Sequence, residues 1–466
     1  MDAPLVTENL YSTNESISKY GSKSYCALII ATCVFSFIFV FFFIAFYYFA
    51  FINSDFKSSF NILYLNDIHI NPEYLPNGDP DQYCTKVNKN KTDVYYKWGI
   101  YGCDSPIDSY KSMLSFMPTV IQKPDLILFG GDAIGHGLKL DSFQVSIEVS
   151  KLIKLLSDTF PDTPLAITLG NNEFSPNYGT FETDPFDFGN LSESLSQYMN
   201  SEQLLTFKKG GYSYLDFSKQ KLRLLLLNTV MYSIKRNISE DDDPWDQFAW
   251  IEEKSKEAES KKYNIGVAYH IPTGICGTDF KVGWHEKFIN RYNQIMEKYD
   301  FKFQLAAHTH LDLYMPVFQN GLSQQRYQIS APSLSPNHGN NPGFRIYKIR
   351  NSEIFDYYQY YADIMMNPKE LEWKLEYKYS STFPGNDLSN KNIIKTINWT
   401  AETGEGMWKY LEHIYNRAGT TNSLYHCLLT CVTKEQVDKC LYDIQPLSLV
   451  QPEEPILYHG QYIERT

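Results

Sequence analysis

The sequence predicts an α/β fold, and two observations carry that reading. Short apolar runs alternate with longer, more polar stretches of helical spacing between Asn61 and about Arg350. Five of those runs also lead directly into Asp, Asn or His, as expected of strands whose carboxyl ends gather a ligand site.

The chain has 466 residues, enough for a large domain and a smaller one. Residues 1–26 are a short polar tail, and 27–52 carry no charged side chain. That second stretch is long enough to cross a bilayer, so it is read as a transmembrane anchor. A cleaved signal peptide is the alternative, but Phe51-Ile52-Asn53-Ser54-Asp55-Phe56 makes a poor cleavage site. Lys19 and Lys23 before the span, against Lys57 after it, favour a cytosolic N-terminus and a type II membrane protein. The remainder would then be luminal or extracellular. Asn-x-Ser/Thr triplets at Asn90, Asn190, Asn237 and Asn398 fit a glycosylated domain there. So do Cys84, Cys103, Cys276, Cys427, Cys431 and Cys440, none of which forms a CxxC pair.

The clearest apolar runs are Ile62–Leu65, Leu126–Phe129, Leu165–Leu169, Leu222–Leu227, Ile265–Ala268 and Phe303–Ala306. They place an α/β catalytic domain over residues 61–350. Beyond Arg350 the chain turns Tyr-, Trp- and Lys-rich with amphipathic spacing, and 351–466 is read as a mainly helical, Cys-containing domain. A formal net charge of -12 argues against a general nucleic-acid binder. It does not argue against an anionic substrate, because a metal site brings its own positive charge.

The residues after the runs suggest such a site. Ile62–Leu65 leads to Asp67 and His69, Leu126–Phe129 to Gly131-Asp132 and on to His136. Leu165–Leu169 leads to Gly170-Asn171-Asn172-Glu173, Ile265–Ala268 to His270, and Phe303–Ala306 to His308-Thr309-His310. Singly each is weak: Asp-x-His is more often turn chemistry, and a lone His is more often a satisfied buried group. Together, at rigid strand ends, they offer carboxylate, imidazole and amide oxygen, a donor set that suits zinc, manganese or iron. The glycines before Asp132 and Asn171 would let the backbone turn sharply there.

The order Asp-x-His, Gly-Asp, Gly-Asn, His and His-x-His resembles the calcineurin-like metallophosphoesterase superfamily, and more closely the acid sphingomyelinase-like phosphodiesterases. Tyr101-Gly102-Cys103-Asp104-Ser105-Pro106, His136, Ser330-Ala331-Pro332-Ser333 with Asn341-Pro342-Gly343-Phe344-Arg345, and Cys427 with Cys431 carry the closer likeness. The resemblance implies a four-layer αββα sandwich and two divalent metals, zinc first and manganese or iron as alternatives. It implies Asp67, His69 and His310 on one metal, Asn171, His270 and His308 on the other, and Asp132 bridging. It places His136 beside the phosphate of a phosphoester substrate, and it pairs Cys84 with Cys103 and Cys427 with Cys431. It also suggests a lysosome- or vacuole-like compartment.

One position departs from the pattern. Asn172 stands where the family has His, and an amide cannot act as a general acid near neutral pH. Either His136 takes that role or the leaving group needs little help. The second case resembles endopolyphosphatases, which share the Gly-Asn-Asn element and a single N-terminal anchor. A metal-binding receptor that has lost catalysis is a further alternative. No saposin domain precedes the catalytic part, so soluble choline-phosphate or nucleotide-type esters are as well suited as sphingomyelin.

Overall fold

Strands form where apolar runs are covered on both faces. In chain order they are β1 (Phe60–Leu65), β2 (Leu126–Phe129), β3 (Leu165–Ile167), β4 (Ser213–Phe217), β5 (Leu222–Leu227), β6 (Asn264–Tyr269), β7 (Ile275–Cys276), β8 (Lys281–Val282), β9 (Phe301–Ala306), β10 (Tyr314–Phe318), β11 (Arg326–Ser330), β12 (Gly343–Arg350), β13 (Glu353–Ala362) and β14 (Trp373–Lys378). The computed structural model describes residues 30, 32–43, 59–89, 95–179, 185–237, 241–276, 281–318, 326–367, 369–417, 425–431 and 433–444.

One sheet has the order β14-β13-β12-β1-β2-β3 and the other β10-β11-β9-β6-β5-β4, with β7 and β8 a separate pair. β1, β2 and β3 are parallel, as are β5, β6, β9 and β11. β1, β2 and β5 are buried from end to end, which is why they read as unbroken apolar runs rather than alternating ones. The antiparallel members, β12 to β14, β4 and β10, flank these parallel cores. The sheets meet where the Phe60 ring lies 4.6 Å from that of Phe217. Tyr64 on β1 also donates to the Ala306 carbonyl at the end of β9 (2.7 Å).

Helices pack on each sheet. They are α1 (Ile107–Val120), α2 (Ser142–Thr159), α3 (Pro185–Leu195), α4 (Ser201–Gly210), α5 (Gln247–Ser260) and α6 (Glu286–Lys298). After β14 come α7 (Tyr379–Thr382), α8 (Asn390–Glu402), α9 (Gly404–Ile414), α10 (Tyr425–Thr430) and α11 (Lys434–Ile444). Phe116 of α1 contacts Phe344, Tyr360 and Trp373 on β12, β13 and β14. Tyr292 of α6 packs on Tyr269 and Phe301 of the second sheet. A capping box between Asp141 and Gln144 starts α2.

Two sequence expectations need correction, and a third, the membrane span, falls largely outside the described residues. The helical segment expected from residue 351 starts only at Tyr379, because β13 and β14 extend the first sheet past Arg350. Their aromatic-rich sequence suits a strand as well as an amphipathic helix, and pairing with β12 decides between them. The chain divides into two compact units, residues 1–59 and 60–466. Of the expected membrane span, residues 30 and 32–43 are helical and the rest of 27–52 lies outside the described residues. Among the described residues no helix is long and apolar enough to cross a membrane.

The second correction concerns a disulfide. Cys84 does pair with Cys103, but Cys427 pairs with Cys440, and Cys431 is left as a buried thiol. Cys427 and Cys431 are one helical turn apart, with the Cys431 N–H donating to the Cys427 carbonyl (3.0 Å). It is α11 that brings a second sulfur, Cys440, to Cys427 across 13 residues of sequence. Cys440→Ser should therefore lower unfolding free energy by about 3 kcal/mol through loss of that loop constraint. Cys431→Ser should cost much less, and denaturant unfolding without reductant compares the two. A larger loss for Cys431→Ser would overturn the pairing.

Candidate metal centre

The carboxyl ends of β1, β2, β3, β6 and β9 converge, and every predicted ligand sits in the loop just beyond one of them. Asp67 and His69 follow β1, Asp132 follows β2, Asn171 follows β3, His270 follows β6, and His308 and His310 follow β9. The first two loops are stitched together, the Asp67 N–H donating to the Gly131 carbonyl and the His69 N–H to that of Asp132 (both 3.0 Å). Asp67, His69, Asp132, His308 and His310 all have left-handed backbone, with φ of 48°, 39°, 57°, 68° and 62°. Each such residue costs on the order of 1–3 kcal/mol, a strain that persists because the strands over-determine the loops.

The two glycines serve different needs. Gly131 has φ 91°, the conformational freedom the sequence suggested. Gly170 is extended at φ -94°, and what it provides is room. A Cβ there would lie 2.1 Å from Asp132 Oδ1.

Three groups of side chains form among the described residues. Asp67, His69 and His310 make one, Asp132, His270 and His308 another, and His69 with Asp104 and His136 a third, the donor atoms of each lying within 4.8 Å of one another. Asp132 Oδ2 reaches the first two, at 3.2 Å from His270 Nε2 and 3.5 Å from His69 Nε2. Asp67 Oδ1 lies 3.5 Å from His310 Nε2 and 3.8 Å from His69 Nε2. His69 Nε2 and His310 Nε2 face each other at 3.1 Å.

These residues fit a pair of divalent cations. Asp67 Oδ1, Asn171 Oδ1 and His270 Nε2 are buried without a hydrogen-bond partner, an expensive state for polar atoms unless something else meets them. Their orientations are fixed from behind. His270 Nδ1 is held by the Gly130 carbonyl (2.7 Å) and His69 Nδ1 by that of Ile134 (3.1 Å), which leaves each Nε2 lone pair facing inward. Asn171 donates its amide N–H to Asn177 Oδ1 (2.9 Å), freeing its oxygen. Burial alone would lower the imidazoles, but the Asp67 and Asp132 carboxylates outweigh it and push His69 up to about 9 and His270 up to about 10. The field that raises them is the field that draws a cation.

Around this centre lie His136 and Asn172 together with groups, among them Glu173, Asp104, His338 and Tyr178, whose parts sequence reasoning did not assign. Glu173 accepts N–H bonds from Gly170 (2.6 Å), Asp132 (2.8 Å) and Ala133 (2.6 Å), locking the second and third loops together. Burial and then the Asp132 charge push it up to about 7. Asp104 takes the His136 backbone N–H (2.6 Å) and sits 2.9 Å from His136 Nδ1, while Asn337 donates to it as well (2.9 Å). The His136 ring stacks on His69, with centroids 4.4 Å apart, and on Tyr83 at 5.3 Å. His338 lies 4.2 Å from the His310 ring, and the Tyr178 edge meets His308 at 6.3 Å. Asn172 is tied to Asp132 twice, through its backbone N–H (2.7 Å) and its side-chain amide (2.9 Å).

Residues 60–312 match the calcineurin-like phosphoesterase family. Sphingomyelinase phosphodiesterase C of Dictyostelium discoideum is 26% identical over 381 residues, spanning 76% of this chain and 84% of that protein. Acid sphingomyelinase-like phosphodiesterase 3b of Homo sapiens is 25% identical over 408 residues, 81% and 89% of the two chains. A cyclic GMP-AMP phosphodiesterase of Bos taurus is 25% identical over 349 residues, 71% and 78%. A solved dimetal phosphatase from Danio rerio superposes with a TM-score of 0.40 at 12% identity, over 64% of this chain and 95% of its own. The match of residues 60–312 spans more than half of the chain, from β1 through β9 to the His308–His310 loop, so the chain belongs to the calcineurin-like phosphoesterase family and is a phosphoric ester hydrolase.

Proposed function

We propose that this chain is a two-metal phosphodiesterase of the acid sphingomyelinase-like type, acting on sphingomyelin, choline-phosphate or nucleotide-type diesters. The observation that carries this reading is Asp132, whose Oδ2 lies within 3.5 Å of imidazoles from the two groups proposed to hold the ions. Asp67, His69 and His310 would hold one ion, Asn171, His270 and His308 the other, and Asp132 both. When bound, a pair of divalent ions activates water and neutralises charge on a phosphoryl group.

The chain's own residues supply the rest. Asp104 holds His136 Nδ1 at 2.9 Å and so fixes the ring, leaving Nε2 to hand a proton to the departing oxygen. Asn172 spends its amide on Asp132 at 2.9 Å, which orients the bridging carboxylate rather than the substrate. Proton delivery then rests on His136. The names of the relatives support the substrate range, since they include sphingomyelinase and cyclic GMP-AMP phosphodiesterases. The Cys84–Cys103 and Cys427–Cys440 disulfides support an oxidising, extracytoplasmic compartment.

Asn172 also supports a second reading, an endopolyphosphatase, because a phosphoanhydride leaves without acid help. The test uses the full chain with zinc or manganese. Phosphocholine release from sphingomyelin and cleavage of a cyclic dinucleotide are measured beside shortening of long-chain polyphosphate. Diester cleavage is the expected result, and shortening of polyphosphate alone would move the assignment to the second reading. Asn172→His should raise the ratio of alkyl diester to anhydride turnover, on the order of tenfold, by adding an acid beside His136. An unchanged ratio would remove Asn172 as a marker of substrate preference.

A further inference from the structure

One imidazole beside the metal centre, that of His338, holds neither ion and delivers no proton in the proposed reaction. It enters none of the three groups of possible ligands, yet its ring lies 4.2 Å from that of His310. The segment between β11 and β12 sets its place. Ser333, Leu334 and Ser335 donate their N–H groups to the carbonyls of His310 (3.2 Å), Asn66 (3.4 Å) and Asp67 (3.1 Å). Those bonds fasten the segment to the loops after β1 and β9. The chain then reverses, with the Gly339 N–H closing on the Pro336 carbonyl at 3.0 Å. Asn337 and His338 are thus the two corner residues of a β-turn.

Both corner residues meet the site. Asn337 donates to Asp104 Oδ1 (2.9 Å) and lies 3.2 Å from His136 Nδ1, while His338, next in the chain, meets His310. The turn therefore reaches from the proposed proton donor to one of the proposed ligands. Exposure sets His338 apart from the other rings. His69, His270 and His310 are buried, His136 and His308 are half-buried, and among these imidazoles His338 alone is exposed. A phosphoester arriving from solvent meets that ring before the ligands beneath it. Neighbouring amides are already committed, Asn172 to Asp132 (2.9 Å) and Asn337 to Asp104. An imidazole carries at least one N–H whether neutral or protonated, so the capacity of His338 to donate does not depend on its charge.

We propose that His338 is a substrate-binding residue, its N–H donating to a non-bridging oxygen of the bound phosphoester while His136 serves the leaving oxygen. This assignment rests on the converged loops being the phosphoester site. A hydrogen bond to a non-bridging phosphate oxygen is charge-assisted and forms in the ground and transition states alike. Its loss should weaken binding more than it slows the chemical step.

Steady-state hydrolysis of bis-p-nitrophenyl phosphate by the metal-loaded full chain is the test, because p-nitrophenolate leaves without a proton and so needs little from His136. His338→Ala should raise KM about tenfold or more and hold kcat within about twofold of wild type. Inorganic phosphate, titrated calorimetrically into the same proteins, should bind the variant more weakly by a similar factor. His338→Gln restores an N–H donor and should recover most of both losses. Metal content should match wild type throughout. Unchanged KM and phosphate affinity in His338→Ala would overturn the proposal and leave His338 a packing partner of His310. So would a fall in metal content that tracks kcat, or a loss that His338→Gln does not recover. Weakened phosphate binding in a protein whose wild type hydrolyses no diester would keep the phosphate contact and sink the diesterase reading instead.

Discussion

Asp132→Asn is expected to lower phosphodiester turnover by about 10³-fold or more, since it removes the carboxylate proposed to hold both cations. The substitution is nearly isosteric, so shape is not what changes. Asp132 sits 2% exposed between His270 and His69, and those imidazoles hold its carboxyl far below the usual carboxylate range even though burial works in the other direction. An amide in its place carries no charge, and it would turn either an N–H or a weaker acceptor toward each group. Asn172, which donates to both carboxylate oxygens, would lose one acceptor as well. Metal content by elemental analysis should fall together with turnover. If the variant kept wild-type turnover, the bridging assignment would be wrong. If wild type itself bound metal but turned over no phosphoester, the receptor alternative would gain.

How far the sequence reached can be judged residue by residue. All six apolar runs proposed as strands are strands, because a strand buried on both faces has an unmistakable composition. That the candidate ligand positions would converge was legible for a related reason. A short polar motif straight after such a run has only one end of the sheet to occupy, and parallel neighbours bring those ends together. What escaped notice depends on partners far away in sequence. β13 and β14 are strands because β12 offers an edge, not because their own pattern excludes a helix. Glu173 was visible as the last residue of its motif, yet its part lies in three backbone N–H bonds from two loops, which no local pattern announces. Asp104 stood in a quoted motif, but its role needs His136, 32 residues on. The family resemblance implied Cys431 as the partner of Cys427, while the packing of α11 brings Cys440 to it instead.

His136→Ala should cost about 10²–10⁴-fold in turnover of diesters with poor leaving groups and far less on activated p-nitrophenyl esters. The asymmetry follows from the role: a group that protonates the departing oxygen matters only when that oxygen needs a proton. Metal content should not change, because the residues proposed to hold the two ions do not include His136, which stacks on His69 and groups with it and Asp104. Asp104→Asn should reproduce part of the loss by removing the charge that holds His136 Nδ1. The acid side of the pH profile provides a separate check. Burial alone would raise Asp104, but the adjacent His136, by charge and hydrogen bond, outweighs it and lowers the carboxyl. A lowered carboxyl contributes stability that is fully present above its ordinary pKa of about 3.9. That contribution declines progressively once pH drops below the ordinary value and is gone below the folded one. The wild-type pair should therefore stay intact through mildly acidic conditions, whereas Asp104→Asn should lose this protection and show altered acid stability. Equal losses on good and poor leaving groups would instead make His136 a phosphate-binding group, and the source of the leaving-group proton would have to be sought elsewhere among the residues around Asp132.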